Sequence, residues 1–509
     1  MIKERARGAD ARARIKKGID EATKDVAPTL GAVGMTAMIE FPGLDPIDAD
    51  DGKTILQHLE FEDKYEQMGL QRLRKGAIRT SEEGGDGTAT TTVLTQALVA
   101  EAFKLVENDS SMIREVKERL ASGLEEVLEQ LKKNKRDVKE EDIEKIATIS
   151  SLDPEVSKLI AKVIKEIGVN GVITVEKGAK LGYSSEVVKG ARFESGLISP
   201  FFVNDKEKMR TVLEDVYIIL VDRKVSMNEQ ILPILNSIGT GNDILFIATD
   251  VDSVALGSLT QNAVSGIANI ACVRNPYQAS PSRDFLFDIA SLTGAKVISE
   301  EMGMKLEDCD VKVCGRAEKV IVTKDTTTII GGVSDASLAM RITEIEGQIE
   351  STTSSFEKDN LKDRLAQLTG GIGVIRVGAY TDTDFNAKQY KFQNAINATQ
   401  AALQEGIIAG GGIGLFNCDV KEPMFSNILD APLKQMAKNA GVDYIDFPTN
   451  STPSTGYDFK NKKIVDMFEA GIIDPFKVTR LALESATAIA SSLVGTETAI
   501  VTKEPDVKR

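Results

Sequence analysis

The pattern of the chain changes character twice, and the second change restores the first. Up to about residue 132 it reads mainly as helix: Ile113, Val116, Leu120, Leu124, Val127, Leu128 and Leu131 keep helical period through a strongly charged segment, as in a helix packed on one face. Between about 190 and 370, short β-branched runs (Val216 to Val221, Ile244 to Ala248, Val320 to Val322) alternate with helical stretches, the pattern of a small α/β domain. After Gly370-Gly371 the pattern turns helical again and closes on an alanine-rich helix from Val478 to Leu493, introduced by Asp474-Pro475. Two ends of one kind around a middle of another predict an α/β domain inserted into a helical one. At 509 residues the chain exceeds the size at which a single core stops growing, so two or more domains are expected.

Composition narrows the function. A formal net charge of −15 argues against nucleic acid as the main partner, since such binding relies on lysine and arginine neutralising phosphates. No apolar run approaches the roughly 20 residues of a membrane helix, so a soluble protein without a membrane partner is expected, and unpaired cysteines point to the reducing cytoplasm. Cys272, Cys309, Cys314 and Cys418 lack paired metal spacing and read as free thiols. His58 is the only histidine and sits in a segment without a nucleophile motif, which leaves it a structural or surface side chain.

The chemistry concentrates in Gly84-Gly85-Asp86-Gly87-Thr88-Ala89-Thr90-Thr91-Thr92. Glycines let backbone amides close on an anion, and the helix that follows adds the positive end of its dipole, with Asp86 facing magnesium. The helix is marked by Val93, Leu94, Ala97, Leu98, Glu101, Ala102 and Leu105, and the hydroxyl-rich residues before it suit capping. A surface turn is the alternative for an isolated Gly-Asp-Gly; the threonine run and the helix onset favour a nucleotide.

Over essentially its whole length the chain resembles the group I chaperonins, the bacterial GroEL-like family. The resemblance is carried by Thr29-Leu30-Gly31, Asp51-Gly52, Leu59 to Lys64, Gly85-Asp86-Gly87-Thr88, Gly171 to Glu176, Val297 to Glu301, Lys324 to Ile330, Ala409-Gly410-Gly411-Gly412 and Asp474 to Arg480. It implies a multidomain α and α/β chaperonin fold: a helical equatorial ATP-binding domain (1–132 and 405–509), an intermediate hinge domain (133–189 and 372–404) and an α/β apical client-binding domain (190–371). It also implies a homo-oligomeric ring, typically of seven subunits, that binds ATP with Mg²⁺, and K⁺ as a further candidate ion. Non-native proteins would be the clients, and a lid-like co-chaperonin a further partner.

Position by position, the resemblance implies that Thr29, Leu30 and Gly31 approach the nucleotide. Asp86 would bind Mg²⁺, with Gly87, Thr88, Thr90 and Thr91 around the phosphates. Gly411, Ile472 and Asp474 would lie near base and ribose, and Asp51 beside the γ-phosphate. Leu197, Phe201, Phe202, Leu232, Leu235, Leu256 and Leu259 match or neighbour the apolar client-binding positions, although without the resemblance they would be assigned to a buried core.

The chain also departs from the pattern. The family's water-activating aspartate is replaced by Asn394, which orients water but cannot accept a proton. A general base contributes about 10²–10⁴ in rate, so ATP binding with slow hydrolysis is expected unless Asp51 supplies most of the water activation. Asp50 stands where lysine is usual, and K⁺ or Lys53 would offset its charge. Thr260 and Gln261 replace apical valines, and Ser195 replaces an arginine that bridges to a neighbouring subunit. Two functions remain open: an ATP-dependent folding chaperone, or an ATP-binding, hydrolysis-deficient holding or structural ring subunit.

Overall fold

The computed structural model describes residues 3–40, 46–107, 110–151, 153–168, 171–178, 180–206, 208–277, 280–332, 335–352, 354–443 and 452–502. They divide into two compact units, Met1–Ala161 with Tyr380–Arg509, and Lys162–Ala379.

In the first unit the long helices Gly8–Val26, Lys64–Gly84, Thr88–Val106, Ile113–Asn134 and Phe476–Val494 share one core. Ile113–Asn134 buries only Val116, Leu120, Gly123, Val127 and Leu131, the single stripe its periodicity predicts. Thr88–Val106 is apolar on most sides because helices surround it, with Leu94, Leu98, Val99 and Ala102 fully buried. Strands Lys3–Arg7 and Thr498–Thr502 pair antiparallel with Ala6 opposite Ala499, which joins the two ends of the chain in one unit.

The second unit is built on a seven-stranded mixed sheet. Strand Thr211–Val225 runs parallel to Asp243–Val251, which runs parallel to Asn269–Arg274; on its other side come Gly315–Val322, Thr327–Gly332 and Gly190–Phe193, each antiparallel to its neighbour. The parallel strands need crossovers, and helices Asn228–Ile238 and Ser253–Val264 supply them. Both faces of the sheet are covered: Ile218, Leu220, Leu245 and Ile247 enter one core, while Ile219, Val221, Ile244 and Phe246 enter the other. A strand buried on both faces has no polar positions to alternate, which explains the continuous apolar runs in the sequence.

A three-stranded sheet completes this unit, with Ile372–Val377 between the parallel strand Val172–Lys177 and the antiparallel strand Tyr183–Val188. Here the structure corrects the sequence. Directly after Gly371 the chain is strand and not helix, because Ile372, Val374, Ile375 and Val377 are buried and the segment is paired on both edges. The segments expected to form a hinge domain are shared between the two units. Helices Glu140–Ser151 and Asp382–Glu405 lie in the first, and the three-stranded sheet lies in the second.

Candidate nucleotide site

Only Gly85, Asp86 and Gly87 separate the end of helix Lys64–Gly84 from the start of Thr88–Val106. Turning the chain in so few residues takes left-handed backbone, with φ of 85° at Gly85 and 98° at Gly87. Close approach fixes the same two positions. A Cβ on Gly85 would lie 2.3 Å from Asn397 Cβ, and one on Gly87 would lie 2.7 Å from Val478 Cγ1. The hydroxyl cap expected from the threonine run is absent: Gly87 occupies the cap position and the threonines fall inside the helix. The first turn is therefore left without a side-chain cap, which suits an incoming anion.

Three carboxylates from distant segments act on one another here. Asp86 accepts a hydrogen bond from the Gly87 N–H at 2.6 Å. Burial pushes its pKa up, the Gly87 N–H opposes this, and the charge of Asp51 adds to the rise. Asp86 nevertheless remains exposed to solvent, and water moderates the shift. The Asp474 pKa is pushed up to about 7, first by burial and then by the charge of Asp86. Asp51 caps helix Gly52–His58 by accepting from the Thr54 N–H at 2.8 Å, through Oδ1.

Helix Asp382–Glu405 passes the Gly85 turn at Asn397 and Ala398. One turn earlier it carries Asn394, and one turn before that Tyr390, whose hydroxyl donates to Asp51 Oδ1 at 3.0 Å. Burial, with the charges of Asp51 and Asp86, raises the Tyr390 pKa far above that of an ordinary phenol, against a hydrogen bond from the Asn394 side chain. Tyr390 therefore stays protonated. Sequence reasoning missed it, although its place one helical turn from Asn394 was a usable signal.

Leu30 and Ile472 pack on an apolar cluster of Ala409, Ile413, Leu433, Met436 and Met467. Gly31 and Gly411, at φ of 95° and 63°, leave room where a Cβ would meet Met436 and Met467. The Asn439 side chain donates to the carbonyls of Ala27, Pro28 and Leu30, which fixes the segment carrying Thr29. Asp474 follows Ile472 on strand Ile473–Pro475, held opposite Ile408. All the nucleotide and catalytic positions expected from sequence thus fall in the first unit.

One position needs correction. Thr91 is fully buried on the packed face of its helix and its hydroxyl has no partner, so a phosphate cannot reach it in this conformation. Thr90 keeps some surface open, while Thr88 is buried. Lys53, which stood beside K⁺ as one of two ways to offset Asp50, pairs with Glu82 at 3.6 Å. Among the described residues no group of three or more His, Cys, Asp or Glu side chains is placed to hold a metal ion.

A sequence model of the TCP-1/cpn60 chaperonin family matches residues 23–421 and 423–504. The chain belongs to this family. The fold is that of the chaperonin gp146 from the bacteriophage EL 2 (Pseudomonas aeruginosa), crystallised in the presence of ATP-BeFx. One crystal form of that protein superimposes with a TM-score of 0.75 at 20% identity, covering 98% of this chain and 99% of that one. A second gives a TM-score of 0.66 at 19% identity with the same coverage. At such identity this chaperonin is a divergent member.

The client-binding positions expected in the second unit of the chaperonin separate into two groups. Phe201 is 67% exposed and Leu232 is also exposed, while Leu197, Leu235 and Leu256 are half-buried. Phe202 (3% exposed) and Leu259 (fully buried) instead belong to the core beneath them, which removes both from the surface. Val254 and Val264, on the same helix as Leu256, are 60% and 63% exposed and were not singled out from the sequence. Ser195 is held within the unit, its hydroxyl donating to the Arg274 carbonyl at 2.6 Å. Among the described residues no helix is long and apolar enough to cross a membrane.

Proposed function

We propose that this chain is an ATP-dependent chaperonin subunit that forms a ring, binds non-native proteins and assists their folding, with slow hydrolysis. The observation that carries the proposal is the cleft of Asp51, Asp86 and Asp474 around the Gly85–Gly87 turn. It offers a helix N-terminus without a side-chain cap and an exposed carboxylate beside it, and Leu30 and Ile472 supply apolar surface in the same unit.

In this assignment the helix N-terminus at Thr88, with Thr90, receives phosphates, and Gly31, Gly411 and Ile472 line the base and ribose. Asp86 would hold Mg²⁺ jointly with the phosphates, the ion lowering the charge that phosphoryl transfer must spread. The exposed Asp86 carboxylate, with a single hydrogen bond from Gly87, fits that use. Asp51 is the proton acceptor for the attacking water, because Asn394 has no basic atom. Residues 133–189 and 372–404 would act as the hinge, and K⁺ would offset Asp50. Client contact is assigned to Phe201, Leu232, Leu235, Leu256 and Leu197, joined by Val254 and Val264. Exposed apolar side chains of this kind bind unfolded chains with little sequence preference, and a ring multiplies weak contacts.

Asn394 favours a second possibility, a subunit that holds nucleotide and client without cycling. Steady-state ATP hydrolysis with Mg²⁺ and K⁺ separates the two. Turnover that Asp51→Ala lowers at least about 100-fold supports the cycling chaperonin. A silent wild type revived by Asn394→Asp supports the holding subunit.

A further inference from the structure

We infer that Tyr390 is a positioning residue for ATP hydrolysis: its hydroxyl pins Asp51 Oδ1, so that Oδ2 is the oxygen presented to the attacking water. This rests on the proposed role of Asp51 and goes beyond it. Oδ1 already accepts two hydrogen bonds, from the Thr54 N–H at 2.8 Å and the Tyr390 hydroxyl at 3.0 Å. An oxygen with both lone pairs engaged is a poor proton acceptor, and Oδ2 accepts no hydrogen bond from a described residue. The two donors come from separate elements: Thr54 belongs to the helix that Asp51 itself caps, and Tyr390, 339 residues from Asp51, to another. Together they fix the rotation of the carboxylate, which Thr54 alone would leave free about its single hydrogen bond.

The chemistry of the phenol suits a donor and excludes a base. Burial and the neighbouring carboxylates keep Tyr390 protonated, so its one proton is committed to Asp51. In the step itself, water oxygen forms the new bond to the γ-phosphorus and the bond from phosphorus to the bridging oxygen breaks. ADP leaves with that electron pair, and the proton of the water passes to Asp51 Oδ2. Tyr390 exchanges no proton; it orients.

The variant Tyr390→Phe removes one hydroxyl and keeps the ring. It is compared with wild type, Asp51→Ala and Asn394→Asp, singly and as the double variant Tyr390→Phe/Asn394→Asp, by steady-state hydrolysis, equilibrium titration of a fluorescent ATP analogue and thermal melting. Losing a hydrogen bond to a charged acceptor is expected to lower kcat about tenfold in Tyr390→Phe. Nucleotide affinity should stay within about twofold, because the hydroxyl faces Asp51. A carboxylate at 394 competes with Asp51 for the phenol proton. In the Asn394→Asp background the same change should therefore alter kcat less than about twofold.

An unchanged kcat in Tyr390→Phe, beside an inactive Asp51→Ala, overturns the positioning role and leaves the chaperonin ATPase standing. Equal loss in both backgrounds, or affinity and melting temperature falling together with kcat, also overturns it. A wild type without turnover, or turnover that survives Asp51→Ala, overturns both the role of Asp51 and that of Tyr390.

Discussion

The nucleotide cleft of the first unit and the apolar surface of the second are specified in different ways. The cleft depends on backbone shape: Gly85 and Gly87 are held left-handed and pressed against Asn397 and Val478, so the identity of each glycine is set by space and by φ together. The surface depends on which way otherwise similar side chains point. Phe201 and Phe202 are neighbours in one short 3-10 turn, Pro200–Phe202, yet the first is 67% exposed and the second 3%. The cleft residues are therefore constrained by backbone space, whereas on the surface a small rotation exchanges core for contact.

That contrast is broken most severely in the core. Phe202→Ala should destabilise the protein by about 3–5 kcal/mol in denaturant titration, since it empties a packed site in the core that also holds Ala255, Leu259 and Cys272. A loss below about 1 kcal/mol would mean that Phe202 is not core at all.

A smaller effect is expected from Asp474, and its sign is fixed. The carboxyl pKa is raised from an ordinary 3.8 to about 7, so between those values the folded protein binds the proton that the unfolded chain has lost. Stability without nucleotide should fall as pH rises from about 4 to about 7. Partial solvent access at Asp474 holds the change to roughly 1–2 kcal/mol. Asp474→Asn should flatten this slope in melts across that range, and an unchanged slope would show that the carboxyl is not responsible.

The smallest effect on stability belongs to Phe201→Ala, within about 0.5 kcal/mol, as for other exposed sites. Its consequence should appear in capture of an unfolded model client, weakened several-fold; equal capture would remove Phe201 from the contact surface.

Much of the molecule was legible in the sequence. The nested order of helical, α/β and helical segments follows from hydrophobic period, and the pairing of Lys3–Arg7 with Thr498–Thr502 realises it. The turn at Gly85–Gly87 was legible because few other sequences reverse between two helices in three residues. The strand Ile372–Val377 was not, since a short apolar run carries no period that separates strand from helix and only its two partners decide. Thr91 shows a related limit. A threonine run marks a phosphate loop, but helical rotation decides which hydroxyl faces the cleft and which is enclosed.

Local composition and spacing determined what each segment of this chain can form, because period, glycine conformation and charge act over a few residues. Which side chains meet was settled only by tertiary structure. Asp51 and Tyr390 stand 339 residues apart, and the place of Tyr390 one helical turn from Asn394 marks it as near the site without naming Asp51 as its hydrogen-bond partner at 3.0 Å. It exists because the helix Asp382–Glu405 packs against the Gly85 turn, and that packing is a property of the whole folded unit.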